Sequence, residues 1–189
     1  MSRYRILGVQ VVITALFAVQ VASASIIPPL TFEQILHRAD TVFTGTVVRV
    51  ESRWTPTRTG AAIITLVTYR VERVFKGHPG NEITLEFLGG TVGDVTLEVV
   101  GVPKFAQGQH DIVCAVDGTS RVSPITGFNQ GRFRVIHDAA NRAVVTAHDG
   151  RPAPMASDAN RSGARGSGQP LTLAAFESEI VRVLQLPPR

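Results

Sequence analysis

The 189-residue chain has a single cysteine, Cys114. A lone thiol cannot close an intramolecular bridge, which excludes the disulfide frameworks that hold many small exported domains together. The hydrophobic core must therefore suffice. Cys114 lies in DIVCAV among Ile112, Val113 and Val116, with no obvious local cation or histidine to lower its pKa. That setting fits a small buried apolar residue rather than a catalytic thiol.

Catalytic signatures are absent as well. There is no HExxH and no GxSxG, and neither KGHPG nor GGTVGD opens a helix as a phosphate-binding glycine loop must. The histidines His37, His78, His110, His137 and His148 are scattered. Three of them precede an aspartate, but neighbouring residues on a strand point to opposite faces, so these pairs do not make local metal sites. Convergence of His137 and His148 across the last hairpin is the one metal-binding alternative. No catalytic residue is nominated, no cofactor is expected, and the chain reads as a non-enzyme.

Charge imbalance is small. The 19 basic and 15 acidic residues become 17 and 15 once Arg3 and Arg5 are set aside with a leader, a net charge of 17 − 15 = +2. So weak a bias does not point to nucleic acid. Phe128, Arg132, Phe133 and Arg134 interleave aromatics with cations, yet that is also how any strand with one buried face reads. No long apolar run compensates. Ile6 to Val21 is interrupted by Gln10, Thr14 and Gln20 and falls short of the roughly 20 residues of a membrane span. With its basic start and Ala22-Ser23-Ala24 it reads as a signal peptide, residues 1–24, so the mature chain is expected to start at Ser25, secreted or periplasmic, without a stable span.

What is present is β structure framed by two helices. LTFEQILHRAD carries a capping box, Thr31 with Gln34, and a staple of Leu30 on Ile35, predicting a helix that ends near Ala39. TVFTGTVVRVESRW predicts a first strand with a bend at Gly45, TPTRTGA a loop, and Ile63 to Phe75 a long second strand with one face buried throughout. ITLEFLGG completes a hairpin over 63–88, and Val95 to Val100, Ile112 to Val116, QGRFRVIHD and RAVVTAH continue the series. Residues 151–169 are rich in Gly, Ser, Pro and Arg and read as a linker, with Asn160-Arg161-Ser162 as a glycosylation acceptor. Leu173, Phe176, Ile180 and Leu184 stand at helical spacing behind Thr172, a helix that either docks on the strands or binds a partner. The expected organisation is a barrel domain over 25–150, the linker, and a tethered helix and tail over 170–189.

The succession ADTVFTGTVVRVESRW, YRVERVFKG, ITLEF and a glycine-led DIVCAV strand resembles the netrin-like module of the tissue inhibitor of metalloproteinases family, over roughly Thr31 to Val116. With GVPKFAQGQ and NQGRFRV it also resembles a group of bacterial exported proteins of unknown function. The resemblance implies a mainly β fold, an OB-type (netrin-like) small barrel. It also implies non-catalytic protein binding, with a secreted metalloprotease or other exported protein as partner and an inhibitor or companion role. Inhibitors of that family chelate the protease zinc with a disulfide-locked N-terminal cysteine. Ser25 stands in that place here, followed by Ile26, Ile27 and Pro28, so the inhibitory wedge does not carry over. The candidate binding residues are that arm, Ser25 to Pro28, and Trp54, which either anchors a partner or fills the core. The alternative is a metal- or small-ligand-binding barrel of the same type.

Overall fold

The structure is a computed structural model that describes residues 28–58, 60–118, 122–153 and 169–185. The leader, Ser25 to Ile27, and most of the linker with Asn160 lie outside the described residues. Helix α1, Phe32–Arg38, begins as its sequence dictates: the Thr31 hydroxyl accepts the Gln34 amide, and the Gln34 side chain accepts the Thr31 N–H. Lys76 donates to the Leu36 and His37 carbonyls at 3.3 and 2.9 Å. The lysine of VFKG therefore satisfies the orphan acceptors at the helix end. Gly77, at φ 78°, passes so near Asp40 that a Cβ would come within 2.7 Å of its carbonyl oxygen.

Among the described residues nine strands follow: β1 Thr41–Thr57, β2 Gly60–Lys76, β3 Glu82–Leu88, β4 Gly90–Val92, β5 Val95–Leu97, β6 His110–Ala115, β7 Arg132–His137, β8 Ala143–Ala147 and β9 Leu171–Thr172. Helix α2, Leu173–Leu184, closes the described chain. Among the described residues, seven strands form one antiparallel sheet in the order β3-β2-β1-β6-β7-β8-β9, and β4 pairs with β5. The sheet is open. From β3 one backbone hydrogen bond, Leu88 N–H to Val122 at 2.9 Å, reaches the 122–126 segment that lies against β6.

Three differences from the sequence-based reading have physical causes. Most of the stretch TPTRTGA is strand, not loop: Thr55, Pro56 and Thr57 pair with Ala62, Ala61 and Gly60, extending the β1–β2 ribbon. Pro56 is tolerated because, among the described residues, β1 has no other strand neighbour there. Next, the predicted strand Val95 to Val100 stops at Leu97, since its partner among the described residues, β4, is three residues long. Last, the second strand does not keep one face buried throughout. Register shifts between Val42 and Phe43 and between Thr44 and Gly45 leave extra residues on β2. These bulges send Phe75 to the helix side, while Val67, Tyr69 and Val71 stay on the other. Gly45 is required there, because a Cβ would stand 2.6 Å from the Arg70 carbonyl oxygen.

The coiled sheet thus has two cores. Against one face pack α1 and α2, where Phe32, Phe133 and Phe176 meet with ring centroids 5.1 to 5.9 Å apart among Ile35, Ile112, Val145 and Ile180. Thr172 caps α2, and Phe176, Ile180 and Val183 are its buried stripe. Each such side chain contributes about 1.5–3 kcal/mol of burial. Cys114 lies in this core, fully buried. The concave face holds Phe43, Val47, Val67, Tyr69, Phe87 and Val113.

Candidate binding groove

The concave core is open at one end, and the chain between β3 and β6 builds a groove over it. Gly89 and Gly90 take φ of 102° and 135° and turn the chain back over the β1–β2 ribbon. There the Ser52 and Thr65 hydroxyls lie 2.9 Å apart and Thr65 donates to the Gly89 carbonyl at 2.6 Å. A Cβ on Gly90 would overlap both hydroxyls. The β4–β5 hairpin, tied by Thr91 and Thr96 at 2.9 Å, then leads into a loop over 98–105 that crosses towards β6. Between ribbon and loop lies a cavity of about 620 Å³ whose lining includes Val50, Phe87, Leu97, Val102 and Phe105. Glu98 and Lys104 pair across the loop at 3.0 Å, both largely exposed.

The loop is anchored by a buried polar network. Phe105 packs on Phe87 at 4.6 Å between centroids, and the Arg132 guanidinium lies 4.2 Å above the Phe105 ring. Arg132 donates from Nε to Asp111 Oδ2 at 2.9 Å, from Nη1 to the Lys104 carbonyl at 3.1 Å and from Nη2 to Gln109 Oε1 at 2.8 Å. Tyr69 gives its hydroxyl proton to the same Asp111 oxygen at 2.9 Å. Asp111 has no exposed surface, and its Oδ1 has no hydrogen-bond partner among the described residues. Burial, reinforced by the Asp111 charge, holds the Tyr69 phenol well above its usual range. The hydrogen bonds of Arg132 to Asp111, Gln109 and the Lys104 carbonyl thus tie the loop to the floor of the sheet.

The sequence-derived candidates are spread apart. Trp54 sits on the same face of β1 as Val50 and Ser52 and is half exposed, so it does not fill the core. Pro28 is exposed, and its carbonyl accepts from Gln130 Nε2 at 3.2 Å while Gln130 Oε1 accepts the Leu30 N–H at 2.7 Å. This places the start of the described chain beside the 127–130 turn, which itself holds the groove loop where Asn129 Nδ2 donates to the Gly101 carbonyl at 3.2 Å; Pro28 is not part of the groove lining. The last hairpin separates the two histidines proposed as metal ligands. His137 stands opposite Ala143 and Phe133 opposite Ala147, so His148 lies beyond the other end of the ladder. Among the described residues no group of three or more His, Cys, Asp or Glu side chains could hold a metal ion. His110 instead meets Glu72 at 3.0 Å, and Glu72 accepts from Thr46 at 2.6 Å.

Arg132 departs most from its sequence reading. Strand alternation puts it on an outward face, whereas it is 3% exposed. The complementary signal is Asp111 inside the apolar run HDIVCAV, a charge that needs a partner when buried. No protein-family model matches the chain, and neither a curated protein nor a solved structure matches it.

Proposed function

We propose that the chain is a non-catalytic binding module that receives an apolar segment of a protein partner in the groove between the β1–β2 ribbon and the 98–105 loop. The observation that carries this reading is that apolar surface continues past the cavity. Val100 is 93% exposed in the loop, and Val95 on β5 and Trp54 on the ribbon are each half exposed. Exposed apolar side chains adjoining a concave apolar site mark interaction surfaces, and a small molecule would use the cavity alone. In this reading the coiled sheet, with β6 returning to pair with β1 and a loop across its mouth, is an open relative of the OB-type, netrin-like barrel. On the resemblance, the partner is a secreted metalloprotease or another exported protein, and the chain is its inhibitor or companion.

A second reading is a small-ligand site. The cavity volume of about 620 Å³ falls within the roughly 300–1,000 Å³ of ligand pockets, and the Ser52 and Thr65 hydroxyls supply the few polar groups such pockets use. Retention of exported proteins by the full-length chain discriminates the two. Loss of the retained protein with Val100→Asp, without loss of folding, supports the protein-binding reading. Unchanged retention with Val95→Asp and Val100→Asp together rejects the groove as its site.

A further inference from the structure

The outer half of β1 is a sheet edge, and its backbone direction can be read from one bond. Gly89 N–H donates to the Ile63 carbonyl at 2.8 Å, so Ile63 turns its polar backbone away from β1. Ile63 stands opposite Trp54, and in an antiparallel pair of that kind both residues point their N–H and C=O groups outward. Trp54, and by the period of two Ser52 and Val50, therefore present donor and acceptor to the open side of β1. Strand β6 stops pairing at Thr46, and Val47 is the last residue bonded on that side, to Gly108 and Gln109 at 2.8 Å each. Among the described residues nothing pairs with Val50, Ser52 or Trp54 there.

The exposed side chains that alternate with these positions are Arg49, Glu51 and Arg53, none of them in an ion pair with a described residue. Such charges normally guard an edge against foreign strands. A second copy related by a two-fold axis at Ser52 would turn the guard into a match. In that antiparallel register Glu51 faces Arg53 of the other copy, twice, and Val50 faces Trp54, twice. Ser52 faces Ser52, and Val50, Ser52 and Trp54 exchange their outward backbone bonds. Sliding by one residue pair in one direction opposes Glu51 to Glu51 and Arg49 to Arg53. Sliding the other way opposes Arg53 to Arg53 and sets Pro56, without an N–H, against Val50. A slide of two pairs towards Arg49 runs Arg53 into Val47, whose edge is already occupied.

We propose that the chain self-associates as a two-fold dimer through the β1 edges, in the register that places Ser52 on the axis. The dimer joins the two sheets into one and covers the half-exposed Trp54 with Val50 of the second copy. The dimer is bonded through the backbone edge of the ribbon, but it shares side chains with the groove, since Val50 lines the cavity and Trp54 continues its apolar surface; its test is the oligomeric state, which does not depend on what the groove binds.

Light scattering on the full-length protein as a function of concentration, combined with charge reversal, tests it. The wild type is expected to be a dimer, and Glu51→Arg alone and Arg53→Glu alone are each expected to weaken it by about tenfold or more, since two attractive cross-strand pairs become repulsive. An equimolar mixture of the two single variants should form a heterodimer, because both facing pairs across the axis then oppose an arginine to a glutamate. Amide exchange at Val50, Ser52 and Trp54 should slow with concentration. A monomeric wild type overturns the proposal. So does a dimer whose affinity ignores both reversals, or a failure of the mixed variants to associate when each is folded.

Discussion

Arg132 and Asp111, on adjacent strands, meet at 2.8 Å with 4% and 0% of their side chains exposed. Two charges are out of water, and each has the other as its compensation. Removing one should therefore cost more than removing both. Arg132→Ala is expected to lower stability by about 3–5 kcal/mol, because the carboxylate is left buried and unpaired. The double replacement Asp111→Leu with Arg132→Met should recover much of that loss. Urea denaturation of Asp111→Leu, Arg132→Met and the double variant, alongside Arg132→Ala, checks this; a double variant that loses the sum of its two single losses would contradict it.

Stability should fall at alkaline pH through two buried acids. Burial pushes the Cys114 thiol far up, with the Lys76 charge offsetting part of the shift, and burial followed by the Asp111 charge raises the Tyr69 phenol. Folded, both groups hold protons that the unfolded chain has released, so the folded state binds more protons and stability declines as pH rises. The decline should begin near the ordinary thiol value of about 8.5 and steepen near the phenol value of about 10, by about 1.4 kcal/mol per pH unit for each group. Cys114→Ala should remove the first stage and Tyr69→Phe the second. Melting curves from pH 7 to 11 measure both.

Glu177 holds α2 to the sheet at two points, accepting from Thr44 at 3.0 Å and from Arg73 at 2.6 Å. Its replacement by Ala leaves a buried hydroxyl without that acceptor, and a loss of about 1–3 kcal/mol is expected. Phe176→Ala opens a cavity beside the Phe32 and Phe133 rings and should cost about 3–5 kcal/mol. Limited proteolysis after Glu177→Ala should cut α2 before the strands; simultaneous cutting of both would mean that α2 and the sheet open as one unit.

Gly90→Ala places a methyl group against the Ser52 and Thr65 hydroxyls at a backbone φ of 135°. The β4–β5 hairpin must lift, so stability should drop by about 1–3 kcal/mol from strain and the groove should widen. Greater fluorescence of an apolar dye such as ANS than with wild type would report the change. Equal dye binding and equal stability would show that β4 is not clamped as described.

The parts of the fold that are legible in sequence are those whose cause is local. Thr31 and Gln34 fix the start of α1, Thr172 the start of α2, and the alternation in ITLEFLGG gives β3. The rest depends on partners distant in sequence. TPTRTGA has turn composition and becomes strand only because residues 60–62 pair with it, and Phe75 changes face because of bulges whose positions depend on register with β1. The groove has no sequence signature because it is built by the path of a loop. Arg132 is ambiguous because an alternating cation looks the same whether it faces water or a buried Asp111. Among the described candidate residues, Trp54 lies on the face of β1 that carries Val50 and Ser52 of the groove lining, and Pro28 does not line the groove. His137 and His148 are separated by a hairpin register that short strands cannot announce.

The central claim, that the groove binds a protein, is tested most directly by a photo-crosslinking residue placed at Val100 in the full-length chain expressed in its own host. The predicted result is one dominant crosslinked exported protein, lost when Val95 is also replaced by Asp and retained when the crosslinker is present with Asp138→Asn, a turn variant remote from the groove. Absence of any protein adduct at Val100, with the chain folded and exported, would contradict the account.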